Sequence, residues 1–368
     1  MKQSLLTKIF PIALLLSVWG GLMCFSYRLG FLISPFPGYR NPNPLVNFDA
    51  MQYVSIAGNN YFANQQSFFP FFPFFLRLIH QMTQVDIITI GIIVVYVSLL
   101  LAIVTFYWLI KADGLNKNYL WIIAWFLLFP TSFFFGAVYT ESPFMLLVFL
   151  TFLLARKKQF IFASIVAGIA SGVRVTGIFL LPSLLIEIYL MRNVLTFKQK
   201  IISTLATLVA APFGLVWYMW YCWQQYHDPL AFFHNLSIYG AQRSGTHLIL
   251  LPQVVYRYIK IFIFADKFTH DYWLAVFEFL MFFVVLGVLL YFWKKIRVSY
   301  LFFSLAALLL PTLTGSFSSL PRYALACFPL FMVLGSVQNK KIQIGLLIFS
   351  SILFVIASGL FFRGYFVS

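Results

Sequence analysis

Asp49 is the side chain in this sequence best placed to do chemistry. It is one of nine carboxylates among 368 residues, and it follows the first apolar segment, within NFDAMQYVSIAGNNY. A carboxylate beside a membrane needs a partner or a polar cavity, so such residues are functional candidates. The ordinary alternative is an N-cap for the helix that AMQYVSIAG predicts. The two roles are compatible, because a helix N-terminus stabilises negative charge.

Three further charged residues interrupt apolar stretches: Glu141 in YTESP, Arg174 in GVRVTG and Arg322 in SSLPRYALACFPLF. Glu141 lies at a predicted helix start, with Ser142 as the cap, and so has a structural alternative. A buried arginine costs about 2.5–3.5 kcal/mol on the translocon scale, so each arginine should face a partner or a polar cavity. For Arg174, pairing with Glu141 or Asp49 is the structural alternative. Phosphate binding is the functional one, and Arg322 presents the same choice.

His227 and Asp228 precede Pro229, a pattern typical of a helix start. Together with His234 they could ligate a metal, but their spacing matches no standard zinc motif. The sequence also lacks a glycine-rich phosphate loop, a G-x-S-x-G elbow and a His-Glu-x-x-His motif. We therefore expect neither a metal nor another cofactor, and we keep His227 and Asp228 as candidate substrate-binding residues.

The composition is that of a membrane protein. Hydrophobic residues make up 62% of the chain, charged residues 9%, and phenylalanine alone contributes 46 side chains. A soluble domain needs roughly 25% charged residues, so the predicted class is an all-α, polytopic integral membrane protein. The net charge of +16 does not indicate nucleic-acid binding, because lysines and arginines form short clusters between apolar segments, as orientation signals do.

Hydropathy predicts about eleven spans, some too short to cross as one regular helix. Their ranges are approximately 9–30, 85–110, 119–135, 142–155, 160–173, 177–191, 201–223, 272–293, 299–313, 322–337 and 342–362. We expect one membrane domain over residues 1–368. Its two longest connecting segments, 31–84 and 224–271, would form the active-site face.

A cytoplasmic N-terminus places every tight basic cluster on the cytoplasmic side, as the positive-inside rule expects. These clusters are Lys2/Lys8, Lys111/Lys117, Arg156 to Lys158, Arg192/Lys198/Lys200, Lys294/Lys295/Arg297 and Lys340/Lys341. With this orientation the candidate site residues fall on the opposite, outer side. They are Asp49, Glu141, Arg174, His227, Asp228 and Arg322.

One outward carboxylate and two outward arginines suit sugar transfer from a lipid-linked phosphate. The carboxylate would take the proton of the acceptor hydroxyl. The phosphate leaving group needs cations rather than a protonating acid, whereas glycoside hydrolysis would usually need two carboxylates. A displacement with one base should invert the anomeric centre. On the residues alone, this reaction is one option among several.

The order of several segments adds a family resemblance. An aromatic-Asp-Ala segment, then Tyr-x-x-Ile-Ala and FFPFFPFFLR, is similar to the PIG-V-like mannosyltransferases, which are GT-C membrane glycosyltransferases. YTESPFMLLVFLTF, SGVRVTGIFLLP, DPLAFFHN and PRYALACFPLF continue the resemblance in order, so that it covers about residues 47–334. One position departs from the family, because Phe48 stands where the family usually has Trp, which weakens any expectation of sugar stacking there.

The resemblance implies a GT-C-like fold and a polyprenyl- or dolichyl-phosphate-linked hexose donor, with mannose expected. Asp49 would match the catalytic Asp, and Glu141, Arg174 and Arg322 the other polar positions. The acceptor would be a glycolipid or glycan on the non-cytoplasmic face. The compact chain favours the plasma (inner) membrane of a prokaryote over the ER membrane of a eukaryote.

Two other classes remain open at this point. A lipid or glycolipid flippase or transporter could also use broken helices and buried arginines. However, the sequence shows no internal repeat, and its polar residues cluster on one face. A non-catalytic partner of another glycosyltransferase is the third possibility. Replacing Asp49 separates these classes, because a catalyst would lose turnover whereas a scaffold would lose only stability.

Overall fold

The computed structural model describes residues 5–39, 41–241 and 243–367, with side chains from residue 10 onward. Lys2 and the side chain of Lys8, which contribute to the predicted orientation, lie outside the described residues. All regular secondary structure in the described ranges is helical. The first nine α-helices are α1 (Leu5–Gly30), α2 (Asp49–Asn59), α3 (Phe71–Thr83), α4 (Ile87–Ala112), α5 (Tyr119–Leu127), α6 (Glu141–Arg156), α7 (Phe160–Val173), α8 (Leu180–Leu190) and α9 (Phe197–Ala210). The remaining α-helices are α10 (Phe213–Tyr226), α11 (Ala231–His234), α12 (Leu251–Phe264), α13 (His270–Tyr291), α14 (Val298–Leu309), α15 (Leu320–Tyr323), α16 (Pro329–Gly335) and α17 (Lys340–Phe362).

Five helical stretches are long and apolar enough to cross a bilayer: Phe10–Gly30, Ile87–Ala112, Phe197–Tyr226, His270–Tyr291 and Lys340–Phe362. They correspond to five of the predicted spans. The other six predicted spans contain shorter or broken helices, such as α5 with 9 residues and α16 with 7. The described part of the chain is thus an all-α protein with five candidate membrane spans, and the number eleven stays a prediction.

One face of α17 shows how the helices would meet lipid. Ile344, Ile348, Ile352 and Ile356 recur every fourth residue and so lie along one side of the helix. Their exposed fractions are 46%, 56%, 52% and 51%. A continuous exposed isoleucine row is unfavourable in water and favourable against acyl chains. This row is therefore the expected lipid-facing side of α17.

The interior is built largely from aromatic rings and close helix contacts. Phe106 of α4 stacks on Phe149 of α6, with ring centroids 4.3 Å apart and planes 4° apart. Gly168 and Gly172, one turn apart on α7, face Gly214 of α10. A Cβ atom at Gly214 would lie 2.3 Å from the backbone oxygen of Gly168, so this crossing requires glycine.

Ion pairs lie at both ends of the helical bundle. Helix α6 begins at Glu141, which pairs with Arg174, and ends at Arg156, whose Nε lies 2.9 Å from Asp113 Oδ1. At 1.5 Å per residue, its 16 residues separate the two sites by roughly 24 Å. The end that carries Arg156 also belongs to the predicted cytoplasmic clusters, whereas the Glu141 end carries the candidate site.

Candidate active site

The local fold around Asp49 holds this carboxylate at the start of α2. Phe48 occupies the N-cap position with φ 51° and ψ −114°, a costly conformation for a residue with a side chain. Buried Asn47 fixes the segment, because its Nδ2 donates to Phe361 O at 2.8 Å and its carbonyl accepts from Tyr139 Oη at 3.0 Å. The N-cap alternative for Asp49 is therefore wrong in position: Asp49 is the first helical residue, and its carboxylate bonds elsewhere.

Four charged side chains meet beside the start of α2. Arg322 Nη1 donates to Asp49 Oδ2 at 2.6 Å, and Arg322 Nε lies 3.3 Å from Glu141 Oε1. Arg174 Nη1 donates to the same Glu141 oxygen at 2.5 Å. The side chain of Asp49 is the most accessible of the four, at 25% exposed, whereas that of Glu141 is 2% exposed. This charge quartet brings together four of the six predicted site residues, with a formal sum of zero.

Breaks between helices position the two arginines. Arg174 has extended backbone (φ −149°, ψ 143°) between α7 and a short 3₁₀ segment, Val175–Phe179. The guanidinium lies 4.8 Å from the ring centroid of Tyr323. Arg322 lies in the four-residue α15, where Thr131 Oγ1 donates to Pro321 O at 2.7 Å. Neither arginine is inside a regular apolar helix, which lowers the cost of burying its charge.

The helix start at Glu141 differs from the prediction. Thr140, not Ser142, is the N-cap residue of α6, and its side chain makes no capping bond. Ser142 Oγ instead donates to Phe135 O at 2.8 Å, tying α6 to the preceding turn. Glu141 is therefore the first residue of α6 and directs its carboxylate toward Arg174 and Arg322.

A cavity of about 950 Å³ opens beside the quartet, and Asp49, Arg174 and Arg322 line it. The size suits a drug-sized ligand, for which pockets typically measure 300–1,000 Å³. Both predicted outer segments, 31–84 and 224–271, contribute to the wall. Much of the lining is apolar, including Phe68, Phe69, Phe232, Phe233, Leu236 and Leu248. The cavity thus combines charged groups with an extensive hydrocarbon-compatible surface.

Tyr239 also lines this cavity, and its hydroxyl donates to Asn64 O at 2.7 Å. Burial and then the negative charge of Asp49 raise the pKa of Tyr239 to about 12. The hydroxyl is therefore protonated at neutral pH and can act only as a neutral hydrogen-bonding group.

His227 and Asp228, the remaining predicted site residues, do not line the cavity. His227 is exposed and ends α10 in a left-handed conformation with φ 54°. Asp228 Oδ2 lies 2.7 Å from His234 Nδ1, and its Oδ1 accepts from the backbone of Leu230. These residues shape the turn before α11, so we no longer assign them to the substrate. The described residues hold no group of three His, Cys, Asp or Glu side chains that could share a metal.

Two residues of the site were not identified from the sequence. Asn47 stands two positions before Asp49, and its buried amide is unusual enough in an apolar chain to have been a signal. Arg243 lines the cavity from the segment before α12. It gave no signal, because an arginine in a polar connecting segment is ordinary.

No family model and no curated protein matches this chain. Among solved structures, the chain is similar to crystal structures of the Archaeoglobus fulgidus oligosaccharyltransferase. The structure in complex with Zn and sulfate aligns with a TM-score of 0.41 and 12% identity, over 85% of this chain and 48% of that one. The structure tethered to an acceptor peptide containing the NVT sequon aligns with a TM-score of 0.47 and 13% identity, over 96% and 55%. This chain thus spans about half the length of those chains, and the function proposed below rests on the site geometry.

Proposed function

We propose that the protein is a membrane glycosyltransferase of the GT-C type. It would move a hexose, with mannose expected, from a polyprenyl- or dolichyl-phosphate donor to a lipid or glycan acceptor on the non-cytoplasmic face. One observation carries the proposal: Asp49 lies on the wall of a cavity of about 950 Å³, with Oδ2 held by Arg322. The described residues provide no hydrogen-bond donor to Oδ1, so this oxygen can accept a proton from a ligand.

In the proposed reaction, an acceptor hydroxyl attacks the anomeric carbon while the bond from that carbon to the phosphate oxygen breaks. The hydroxyl proton passes to Asp49 Oδ1, and the lipid phosphate leaves as a monoester with one additional negative charge. Asp49 is the general base, and the product has the opposite anomeric configuration. Arg322 holds the carboxylate in one orientation through its 2.6 Å hydrogen bond.

The remaining charges of the quartet support the same geometry. Arg322 and Arg174 both reach the buried carboxylate of Glu141, which fixes each guanidinium relative to the other. Their cationic charges would stabilise the departing phosphate, since both arginines line the cavity. Glu141 would act through Arg174 and Arg322 rather than on the substrate.

The apolar part of the wall supports a lipid-linked donor. Phe232, Leu236 and Leu248 line the same cavity as Asp49. A prenyl chain gains favourable free energy from such a surface, roughly 25 cal/mol per Å² of apolar area removed from water. A donor that is hydrocarbon at one end and phosphate-sugar at the other matches both parts of this wall.

Topology and location belong to the proposal as well. Eleven spans with a cytoplasmic N-terminus would place the quartet at the outer face. Arg156 and Arg297, which pair with Asp113 and Glu187 respectively, would then lie at the cytoplasmic end. The plasma (inner) membrane of a prokaryote is the proposed location. Cysteine accessibility to an impermeant reagent, at residue 266 and at residue 157, would test this orientation.

The experiment is sugar transfer in vesicles that contain the purified protein. Radiolabelled polyprenyl-phosphate-mannose is supplied with a crude lipid and glycan extract of the host, and empty vesicles serve as the control. The proposal predicts a labelled acceptor only with the protein present. Movement of the labelled donor across the bilayer without transfer would replace the proposal by a flippase. Neither transfer nor movement, when the donor is shown to bind, would favour a non-catalytic partner.

A further inference from the structure

Arg243 is a third arginine on the cavity wall, and it lies in the segment between α11 and α12. Its Nη2 donates to Ser318 O at 3.2 Å and to Ser319 Oγ at 3.0 Å. Both acceptors are neutral, and they immediately precede α15, the helix that carries Arg322. The guanidinium is thus held by one nitrogen against the segment that positions the charge quartet.

The charges around the cavity distinguish Arg243 from the other two arginines. Arg174 and Arg322 are paired with Glu141 and Asp49, so the quartet is formally neutral. Among the described residues, no carboxylate lies within 4 Å of the Arg243 guanidinium. Glu278 attracts it only over a longer distance, and the nearer partner of Glu278 is Tyr258, whose hydroxyl donates at 2.6 Å. Arg243 therefore leaves the described wall with an uncompensated positive charge.

The hydrogen-bonding capacity of Arg243 points the same way. A guanidinium has five N–H donors, of which the two on Nη2 serve Ser318 and Ser319. The described residues accept no hydrogen bond from Nε or Nη1, which together carry three donors. A fixed guanidinium with spare donors beside an apolar wall fits a phosphate better than it fits a neutral ligand.

We propose that Arg243 binds the phosphate group of a polyprenyl phosphate in this cavity. The inference rests on the proposed function, because it takes the donor to be lipid-linked through phosphate. It also separates two tasks: Arg243 recognises the charge of the donor, while Arg322 orients Asp49. The competing explanation is that Arg243 only fastens residues 318 and 319 to the preceding segment.

The test compares the affinities of purified protein in nanodiscs for undecaprenyl phosphate and for undecaprenol, its uncharged counterpart. The wild type should bind the phosphate at least roughly 10-fold more tightly, since hydrogen bonds to charged groups are worth this factor or more. Arg243→Gln should reduce the preference to below about 3-fold, with undecaprenol affinity and Tm unchanged. Arg243→Lys, which keeps the charge, should be intermediate. Arg192→Gln, an exposed arginine far from the cavity, should behave as the wild type.

Three results would overturn the inference: an unchanged preference in Arg243→Gln, an equal loss of affinity for both ligands, or no preference in the wild type. The equal loss would establish the purely structural role. The outcome is separable from that of the transfer assay. A phosphate preference that depends on Arg243 in a protein without transferase activity would leave the anion site standing and remove the proposed reaction. Transfer by a protein whose preference ignores Arg243 would do the reverse.

Discussion

Arg322 Nη1 and Asp49 Oδ2 lie 2.6 Å apart, although 273 positions separate the two residues along the chain. This ion pair joins the segment before the first helices of the core to the short α15 near the other end of the sequence. It holds one oxygen of the carboxylate and leaves the other facing the cavity. The site therefore depends on the long-range fold, and its disruption should affect both stability and turnover.

Removing the cation at residue 322 tests this dependence. Arg322→Gln leaves Asp49 and the buried Glu141 without the guanidinium that contacts both. Breaking a buried ion pair costs about 3–5 kcal/mol, so we expect a clear fall in the unfolding temperature measured in detergent. Transfer should fall by roughly 10²-fold in the protein that remains folded, because Asp49 loses its orientation. Arg322→Lys should recover part of the stability, and a fully stable, active Arg322→Gln variant would contradict this account.

The Glu141–Arg174 pair offers a double-mutant cycle. Glu141→Gln and Arg174→Gln each leave the partner charge buried, since the two atoms in contact are 2.5 Å apart and the side chains are 2% and 12% exposed. The double variant should be less destabilised than the sum of the singles by roughly 0.5–3 kcal/mol, the usual range for residues in contact. Denaturant unfolding measures all three. Simple additivity would show that the pair has no energetic coupling.

Close packing between α7 and α10 predicts a size limit at Gly214. A Cβ atom there would lie 2.3 Å from backbone atoms of Gly168 and Gly172, so Gly214→Ala forces the helices apart. Overpacking of this kind typically costs about 1–3 kcal/mol. Gly287→Ala on α13 is the matched control, because nothing lies within 4 Å of its Cβ position. Equal unfolding temperatures for the two variants would contradict the described contact.

The sequence identified the residues of the quartet more readily than their arrangement. Asp49, Glu141, Arg174 and Arg322 could be predicted because a charge in an apolar chain is expensive and therefore informative. Pairing was foreseen as the structural alternative for the arginines. Which arginine meets which carboxylate could not be predicted, since the pairs span 33 to 273 positions and depend on tertiary contacts.

Other parts of the prediction failed for local reasons. His227 and Asp228 carry chemistry-bearing side chains before a proline, but His227 ends α10 and Asp228 bonds to His234. Arg243 escaped notice because its role depends on a cavity, which leaves no pattern in the sequence. Hydropathy located the apolar segments, yet it could not show that six of them contain only short or broken helices, because apolar content alone does not determine where a helix ends.

The most direct test of the central claim is the turnover of Asp49→Asn. The measurement is the rate of mannose transfer in vesicles by folded, monodisperse protein, compared with the wild type. Asp266→Asn serves as the matched control, because it makes the same change at an exposed residue that does not line the cavity. The account predicts a loss of roughly 10²- to 10⁴-fold for Asp49→Asn, the usual contribution of a general base, and wild-type transfer for the control. Transfer by Asp49→Asn at the wild-type rate would show that Asp49 is not the base.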